Sequence, residues 1–320
     1  MLILNKNDIL NSVTIDELLK AVEEAFIIQE RGNFSMPDRS HIDYQGNVLL
    51  LMPAFTGDYF STKLVSVFPE NRKKNLPVII GSVLLNDGTT GETLALLEAS
   101  KLTALRTGAV GALGIVHTTP VDVSSVGLIG AGEQGFHQVL FACAVRNIKS
   151  VTLFDAFNSN LNDFVDSLKK YLPEIDFKIA KKSEEVVKNS EVIITATTSE
   201  APVIPDDKDL LKGKHFIGIG SYKPSMREFP DNLFRLVDNA IIDTPFAMTE
   251  SGDISVPIEK GLIKKEDIYT LGSLINKKVK INENVTTLFK SVGMALFDLV
   301  TARLIYRKAL EKNIGTSVEF

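Results

Sequence analysis

A glycine-rich turn at residues 130–135 carries the most specific chemical signal in the sequence. In "GLIGAGEQG", Gly130, Gly132 and Gly135 have the G-x-G-x-x-G spacing, after an apolar strand and before a helical pattern. Glycines at these positions allow a tight turn, a close approach to a pyrophosphate and close helix–strand packing. A chance glycine turn is the alternative, but the flanking elements favour a dinucleotide site. The residues predicted to bind the dinucleotide here are Gly130, Ala131, Gly132, Glu133, Gln134 and Gly135.

An acid at the end of the next predicted strand indicates which dinucleotide binds. Asp155 ends "SVTLFD", and Asn158 follows it with no Arg close by. A carboxylate at this position accepts hydrogen bonds from the adenosine ribose and repels a 2′-phosphate, so NAD is favoured over NADP. The alternative interpretation is that Asp155 only caps the next helix.

Two further strand ends are expected to line the cofactor. "TATTS" ends the strand "EVIITA", although an ordinary polar turn would have the same composition, and Gly220 ends "HFIGIG". In an open α/β sheet, ligands bind at the carboxyl ends of the strands. The residues predicted to contact the cofactor at these strand ends are Thr195, Ala196, Thr197, Ser199 and Gly220.

Three cations before the glycine-rich turn lie in unusually apolar surroundings. Arg39 follows "MPD", Lys63 interrupts the alternating strand "STKLVSVFP", and Arg106 lies in the small-residue helix "LTALRTGAVGALG". A solvated surface charge is the usual role of Lys and Arg, and it fits Arg106 least. A guanidinium there would suit a substrate carboxylate. A desolvated Lys63 near other cations would have a lowered pKa and could deliver a proton.

Composition excludes several other classes of protein. The net charge of −5 and the absence of a basic stripe disfavour nucleic-acid and anionic-membrane binding. The single Cys143 and four scattered histidines offer neither a disulfide framework nor the spacing of a metal site. No apolar stretch is long enough for export or for spanning a bilayer, so a cytoplasmic location is expected.

The predicted pattern of strands and helices, which must position these residues, changes near Pro120. Thr14 to Arg31 predicts an amphipathic helix with a Thr14/Glu17 capping box, and an antiparallel-looking β region follows. After Pro120, strands alternate with helices, which indicates a Rossmann-like, doubly wound parallel sheet. Asn284 to Lys312 is expected to be one long helix that returns to the first domain. The predicted domains are 1–117 with 293–320, a discontinuous α+β domain, and 118–292, the NAD(P)-binding domain.

Several segments together resemble the ornithine cyclodeaminase/mu-crystallin family. They occur in the family's order over nearly the whole chain: "MPDR", "LLLMPAF", "STKLVSVFPEN", "TGETLALLEASKLTALRTGAVGAL", "GLIGAGEQG", "EVIITATTS" and "LFKSVGMALFDLVTARLIY". The resemblance implies a homodimer whose discontinuous domain binds substrate and forms the dimer, while the Rossmann domain binds NAD(P). It also implies chemistry on a carbon that bears a carboxylate and an amine or imine.

The resemblance assigns roles to individual positions. Lys63 matches the lysine given a proton-donor role in the reductases of the family, and Ser291 in "FKSVG" would lie near the nicotinamide. The positions that would contact substrate are Arg39, Met52, Lys63, Arg106, Ser221 and Tyr222.

Two departures distinguish branches within the family. Cyclodeaminases carry an acid where this chain has Leu50, and an Asp just after the strand-end glycine, where this chain has Ser221 or Tyr222, depending on how the loop is aligned. We therefore expect an NAD(P)H-dependent ketimine or Δ1-pyrroline-2-carboxylate reductase, or an amino-acid dehydrogenase that uses the same chemistry. The alternatives are an ornithine cyclodeaminase, which makes proline and ammonia, and a non-catalytic, crystallin-like ligand-binding protein.

Overall fold

A computed structural model describes residues 1–74 and 76–319, so Phe320, the last residue of the predicted first domain, lies outside it. The chain forms two compact units: Met1–Arg106 together with the chain from Met294 onward, and Thr107–Gly293. The assignment of substrate binding to the first unit and cofactor binding to the second stays a prediction. Within the described residues, no helix combines the length and the apolar character needed to cross a membrane.

The predicted helix at residues 14–31 and the predicted β region are both present. Thr14 and Glu17 form the expected capping box, and the helix ends at Gly32 in the left-handed conformation. Strands and helices up to residue 118 are β1 (Leu2–Leu4), α1 (Lys6–Ser12), α2 (Ile15–Arg31), β2 (Ser40–Tyr44), β3 (Asn47–Phe55), β4 (Tyr59–Val67), β5 (Ile79–Asp87), β6 (Thr93–Glu98) and α3 (Ala99–Thr118).

The middle of the chain alternates strands with helices, as the sequence indicates. The elements are β7 (Ser125–Ile129), α4 (Glu133–Val145), β8 (Ser150–Phe154), α5 (Leu161–Lys169), β9 (Asp176–Ile179), α6 (Ser183–Lys188), β10 (Val192–Thr195), α7 (Lys208–Leu211), β11 (His215–Gly218), β12 (Ala240–Ile242), α8 (Ala247–Glu250), α9 (Gly252–Glu259), β13 (Ile268–Thr270), α10 (Leu271–Ile275) and β14 (Thr287–Lys290). The chain then continues with α11 (Ala295–Lys312) and β15 (Thr316–Ser317).

The second unit contains the predicted parallel sheet. Its strand order is β13-β12-β14-β11-β10-β7-β8-β9, and each described pair is parallel. Chain order reverses at β7, because β8 and β9 lie on one side of it and the later strands lie on the other. This is the doubly wound arrangement, whose ligand crevice lies at the carboxyl ends of the strands beside the reversal.

The first unit is built on a mainly antiparallel sheet of order β15-β1-β6-β5-β4-β3-β2, in which only the β1–β6 pair is parallel among the described pairings. Helix α11 packs on β3, β4 and β5 and also against α2. The face of the sheet under α11 carries buried side chains on alternate residues, because successive strand residues point to opposite faces. These buried residues are Met52, Ala54, Ser61, Lys63, Val83 and Leu85.

The prediction of one helix over Asn284 to Lys312 was wrong in its first part. Residues Thr287–Lys290 form β14, which pairs with β11 on one side and β12 on the other. Its four residues are buried, so the apolar run that reads as helical is the centre of a parallel sheet. Gly293, with a φ of +76°, separates this strand from α11.

The Arg146 side chain caps the C-terminal end of α3. Its guanidinium donates hydrogen bonds of 2.9–3.2 Å to the carbonyl oxygens of Ile115, Val116, Thr119 and Pro120. The last carbonyls of a helix have no partners within the helix and carry partial negative charge, so a cation here stabilises the helix end. This contact holds the end of α3 against the end of α4.

Candidate functional site

The glycine-rich turn has the geometry that a pyrophosphate requires. Gly130 has a φ of +104°, and a Cβ there would lie 2.6 Å from the carbonyl oxygen of Ala196. A Cβ on Gly135 would lie 2.1 Å from the carbonyl oxygen of Gly130, so helix and strand approach as closely as predicted. A Cβ on Gly132 would meet none of the described atoms within 4 Å. Gly132 also precedes α4 and has no side chain to cap it, so the start of the helix has room for a phosphate group.

Asp155 binds the backbone of this turn. Its Oδ2 accepts a hydrogen bond of 2.8 Å from the Ala131 N–H, while Oδ1 accepts from the N–H groups of Phe157 and Asn158 at 2.8 and 2.9 Å. The capping interpretation is wrong, because α5 begins at Leu161 after Asn160. Asp155 is therefore held beside the turn by three N–H donors, at the end of β8 where the ribose of a dinucleotide would lie. The turn, the helix start and this carboxylate together fit a dinucleotide.

The other predicted cofactor residues lie at the carboxyl ends of β10, β11 and β14. Thr195 is fully buried at the end of β10, and the Ala196 N–H extends the sheet by donating to the Ile129 carbonyl at 2.9 Å. The hydroxyl of Ser199 donates to the Ala201 carbonyl, and that of Ser291 donates to Asp243 at 2.6 Å. The structure thus brings these strand ends to one edge of the sheet, while their contacts with a cofactor stay predictions.

Lys63 and Arg106 meet on a carboxylate in the first unit. Lys63 Nζ lies 2.8 Å from Asp298 Oδ2, and Arg106 Nε lies 3.1 Å from Asp298 Oδ1. Lys63 comes from β4, Arg106 from α3 and Asp298 from the first turn of α11, and all three are buried. Two cations share one carboxylate, so the cluster carries a net charge of +1. A buried cluster of this charge can hold a further anion such as a carboxylate.

The surroundings of Lys63 lower its pKa to about 8. Burial is the largest cause, because it disfavours the charged form, and the positive charges of Arg106 and Arg39 act in the same direction. The carboxylate of Asp298 opposes them. A lysine with this pKa exchanges a proton near neutral pH, as a general acid or base must.

The remaining predicted substrate residues divide into two places. Met52 is buried on β3 and pairs directly with Lys63 across the β3–β4 ladder. Arg39 precedes β2, is half-buried, and is near enough for its charge to act on Lys63. Ser221 and Tyr222 belong to the second unit: the Ser221 hydroxyl contacts the Met226 carbonyl and the Ser251 hydroxyl, whereas Tyr222 is half-exposed.

Several buried acids and one buried lysine, which pair with the charged groups at these sites, were not identified from the sequence. Asp298 was not predicted, although a lone acid in the apolar stretch "ALFDLVTA" signals a buried charge that needs a partner.

A second buried group lies at the carboxyl edge of the parallel sheet and consists of Glu228, Asp253, Lys290 and Asp243, all fully buried. Burial raises the pKa of Asp243 despite the hydrogen bonds it accepts from Ser291, Val292 and Gly293. Over residues 1–74 and 76–319, no cluster of three or more His, Cys, Asp or Glu could hold a metal ion.

Comparison with known proteins gives one family over almost the whole chain. The sequence model of the ornithine cyclodeaminase/mu-crystallin family matches residues 1–313. A Δ1-pyrroline-2-carboxylate reductase of Bacillus cereus is 32% identical over 330 aligned residues, which cover 100% of both chains.

Two solved structures have the same fold over the full length. A Δ1-pyrroline-2-carboxylate reductase of Thermococcus litoralis, in complex with NADH and L-proline, is 34% identical with a TM-score of 0.92, and the match covers 99% of this chain and 100% of that one. An archaeal alanine dehydrogenase dimer with bound NAD is 29% identical with a TM-score of 0.89, covering 100% and 99%. The likeness therefore includes both units.

Proposed function

This chain belongs to the ornithine cyclodeaminase/mu-crystallin family, and from that premise we propose that it is an NAD(H)-dependent oxidoreductase acting on the C–N bond of an α-imino or α-amino acid. Its proposed substrate is a cyclic imino acid of the Δ1-pyrroline-2-carboxylate type. The second unit would hold the dinucleotide, and the first unit would hold the carboxylate of the substrate.

The buried cluster of Lys63, Arg106 and Asp298 is the observation that carries the proposal. A purely structural core would be at least as stable with apolar side chains in place of two buried cations. The carboxylate of one bound substrate would neutralise the cluster's net charge of +1, so the two buried cations would serve to bind the substrate. The relatives named as reductases and dehydrogenases act on compounds that carry such a carboxylate.

In the proposed reaction, the chain's own residues anchor, orient and protonate the substrate. Arg106, with Arg39 nearby, binds the carboxylate and fixes the position of the adjacent C=N group. Lys63 supplies the proton that the imine nitrogen takes up as the amine forms, and Asp298 holds Lys63 in place. The bound nicotinamide supplies the hydride that reduces the imine carbon.

We propose the branch within the family from Leu50 on β3 and from the residues of the loop after β11. Reducing a cyclic ketimine needs a carboxylate anchor and one proton, whereas cyclodeamination must also expel ammonia and steer a second amine. Leu50 stands where a cyclodeaminase carries one acid, and either Ser221 or Tyr222 stands where it carries an Asp. Met52 would instead give an apolar surface to the ring of the substrate.

An oxidation assay with a panel of substrates tests the proposal. Purified protein is given NADH or NADPH with Δ1-pyrroline-2-carboxylate, Δ1-piperideine-2-carboxylate, or pyruvate plus ammonia, and absorbance at the nicotinamide band is followed. We expect turnover with a cyclic imino acid and a higher kcat/KM with NADH than with NADPH, because the Asp155 carboxylate would repel a 2′-phosphate on the adenosine ribose. Arg106→Met should raise KM for the imino acid and leave the Kd of NADH unchanged.

A parallel assay with ornithine distinguishes the alternative. Proline and ammonia formed from ornithine with a higher kcat/KM than any imino acid would identify a cyclodeaminase. Absence of turnover with every substrate, together with tight NADH binding, would support a non-catalytic binding protein instead.

We also propose that the protein forms a homodimer through the outer face of the first sheet. The residues of β2 to β5 that point away from α11 are largely apolar, and several are exposed in the single chain. A large exposed apolar patch on a protein of this size marks an interface. The residues on this face include Ile42, Leu49, Leu51, Phe55, Phe60, Leu64, Ile80 and Leu84.

A further inference from the structure

Two loops at the carboxyl edge of the parallel sheet are joined by one buried carboxylate. Thr197 follows β10, and Gly220 and Ser221 follow β11, which is the neighbouring strand. Asp155 lies across β7 from them, at the end of β8. If the adenosine lies at Asp155 and the pyrophosphate at the glycine-rich turn, the nicotinamide half extends over the loops after β10 and β11.

Glu228 accepts four hydrogen bonds from these two loops. Its Oε1 accepts from the Thr197 N–H at 2.7 Å and from the Thr197 hydroxyl at 2.9 Å. Its Oε2 accepts from the N–H groups of Gly220 and Ser221 at 2.8 and 3.1 Å. One carboxylate therefore fixes the distance between the ends of two strands.

The carboxylate is itself held in place by buried partners. Asp253 Oδ1 accepts from the N–H groups of Glu228 and Phe229 at 2.7 and 2.9 Å. Lys290 Nζ lies 3.7 Å from Glu228 Oε2 and 3.4 Å from Asp253 Oδ2. Burying three charged side chains is costly unless they are paired, so this arrangement is stable only with all three in place.

Close packing at Gly220 shows how tightly the two loops are joined. A Cβ on Gly220 would lie 2.0 Å from the Thr197 carbonyl oxygen and 2.6 Å from Glu228 Oε1. No side chain other than hydrogen fits between the loops, and both would have to shift to admit one. The backbone of Thr197 and Gly220 is thus fixed by contact as well as by hydrogen bonds.

We propose that Glu228 is a positioning residue for the nicotinamide half of the dinucleotide, which it controls by joining the loops after β10 and β11. This inference rests on the proposed function only in requiring that the protein bind NADH. Glu228 touches neither substrate nor cofactor in this proposal and acts through Thr197, Gly220 and Ser221. Its loss should therefore disturb the nicotinamide end of the site and spare the adenosine end.

A pair of glutamine variants tests this division, with Kd measured for NADH and for ADP-ribose, which lacks the nicotinamide ring. In Glu228→Gln an NH₂ group replaces one acceptor oxygen and confronts N–H donors of one loop. We expect the Kd of NADH to rise about tenfold or more, the change that losing a charge-assisted hydrogen bond produces. The Kd of ADP-ribose should stay within about threefold of wild type, since Asp155 and the glycine-rich turn are unaltered.

Glu191 provides the matched control. It also accepts four hydrogen bonds, from the N–H and hydroxyl groups of Ser124 and Ser125, but it precedes β10 at the opposite edge of the same sheet. Glu191→Gln should leave both dissociation constants unchanged. Equal weakening of NADH and ADP-ribose in Glu228→Gln, or no weakening of either, would overturn the positioning role.

A milder pair covers the case in which Glu228→Gln does not fold. Thr197→Val removes one of the four hydrogen bonds but keeps the side-chain shape and the buried charges, whereas Thr197→Ser keeps the hydroxyl. The serine variant keeps the hydrogen bond to Glu228, so the Kd of NADH should be about three- to tenfold higher in the valine variant than in the serine variant, while the Kd of ADP-ribose should be the same in both. Equal values for the two variants would contradict the proposal.

Wild-type protein that binds no NADH would overturn the proposed function and this inference together, whereas binding without turnover would overturn only the proposed reaction.

Discussion

At the residue scale, burial lowers the pKa of Lys63 to about 8, so the titration of its amine can be followed in an ordinary pH range. Reduction needs protonated Lys63, which predominates below pH 8 and is lost above it. The kcat for imino-acid reduction should therefore fall through an inflection near pH 8, while the reverse oxidation should gain in the same range. Lys63→Met should lower kcat about 10²- to 10⁴-fold without changing the Kd of NADH. A flat pH profile between pH 7 and 9.5 would remove the proton role.

Asp298 has two separable effects on the same cluster. Its carboxylate raises the pKa of Lys63, so Asp298→Asn should move the inflection of the kcat profile to lower pH. The substitution also leaves two buried cations without their shared partner, which should cost about 3–5 kcal/mol of unfolding free energy. Urea unfolding measures the second effect. The double variant Lys63→Met/Asp298→Asn should lose less stability than the two single variants combined, because the residues interact directly.

The cluster of Lys63, Arg106 and Asp298 shows why unusual cations are easier to identify from the sequence than the acids that pair with them. Lys63 and Arg106 were predicted as unusual because each is a charge in locally apolar surroundings, which is visible within ten residues of sequence. Asp298 is 192 residues from Arg106, and only the packing of α11 on the sheet brings them together. Lys290 and Glu228 were missed for the same reason.

At the element scale, the contact between Arg146 and α3 supports a stability prediction. Arg146→Met removes four hydrogen bonds, donated by Nε and Nη2 to carbonyls at the end of α3, and should lower the unfolding free energy by about 2–3 kcal/mol. Arg235 is the control, since it is exposed in the same unit and contacts Asn232 Oδ1 at 3.1 Å. Arg235→Met should change stability by less than about 0.5 kcal/mol. Urea unfolding that gives equal losses for both variants would contradict the helix-end role.

Elements were predictable where local signals agree with tertiary pairing. The capping box before α2 and the glycine-rich turn between β7 and α4 are encoded by neighbouring residues, so both were found. The segment Thr287–Lys290 was read as helix because its apolar run continues into the pattern of α11. Two neighbouring strands decide its conformation, and neither is adjacent to it in sequence.

At the scale of the whole molecule, the proposed dimer predicts a difference between two exposed apolar residues. Ile80 is 51% exposed and lies on the outer face of the first sheet, whereas Val121 is 80% exposed on the second unit. Placing a charge at an interface removes apolar burial and leaves a desolvated carboxylate, but the same charge on a free surface is tolerated. Ile80→Glu should therefore shift the protein toward monomer in sedimentation equilibrium at micromolar concentration, and Val121→Glu should sediment as wild type. A wild-type monomer, or equal behaviour of the two variants, would place the interface elsewhere or remove it.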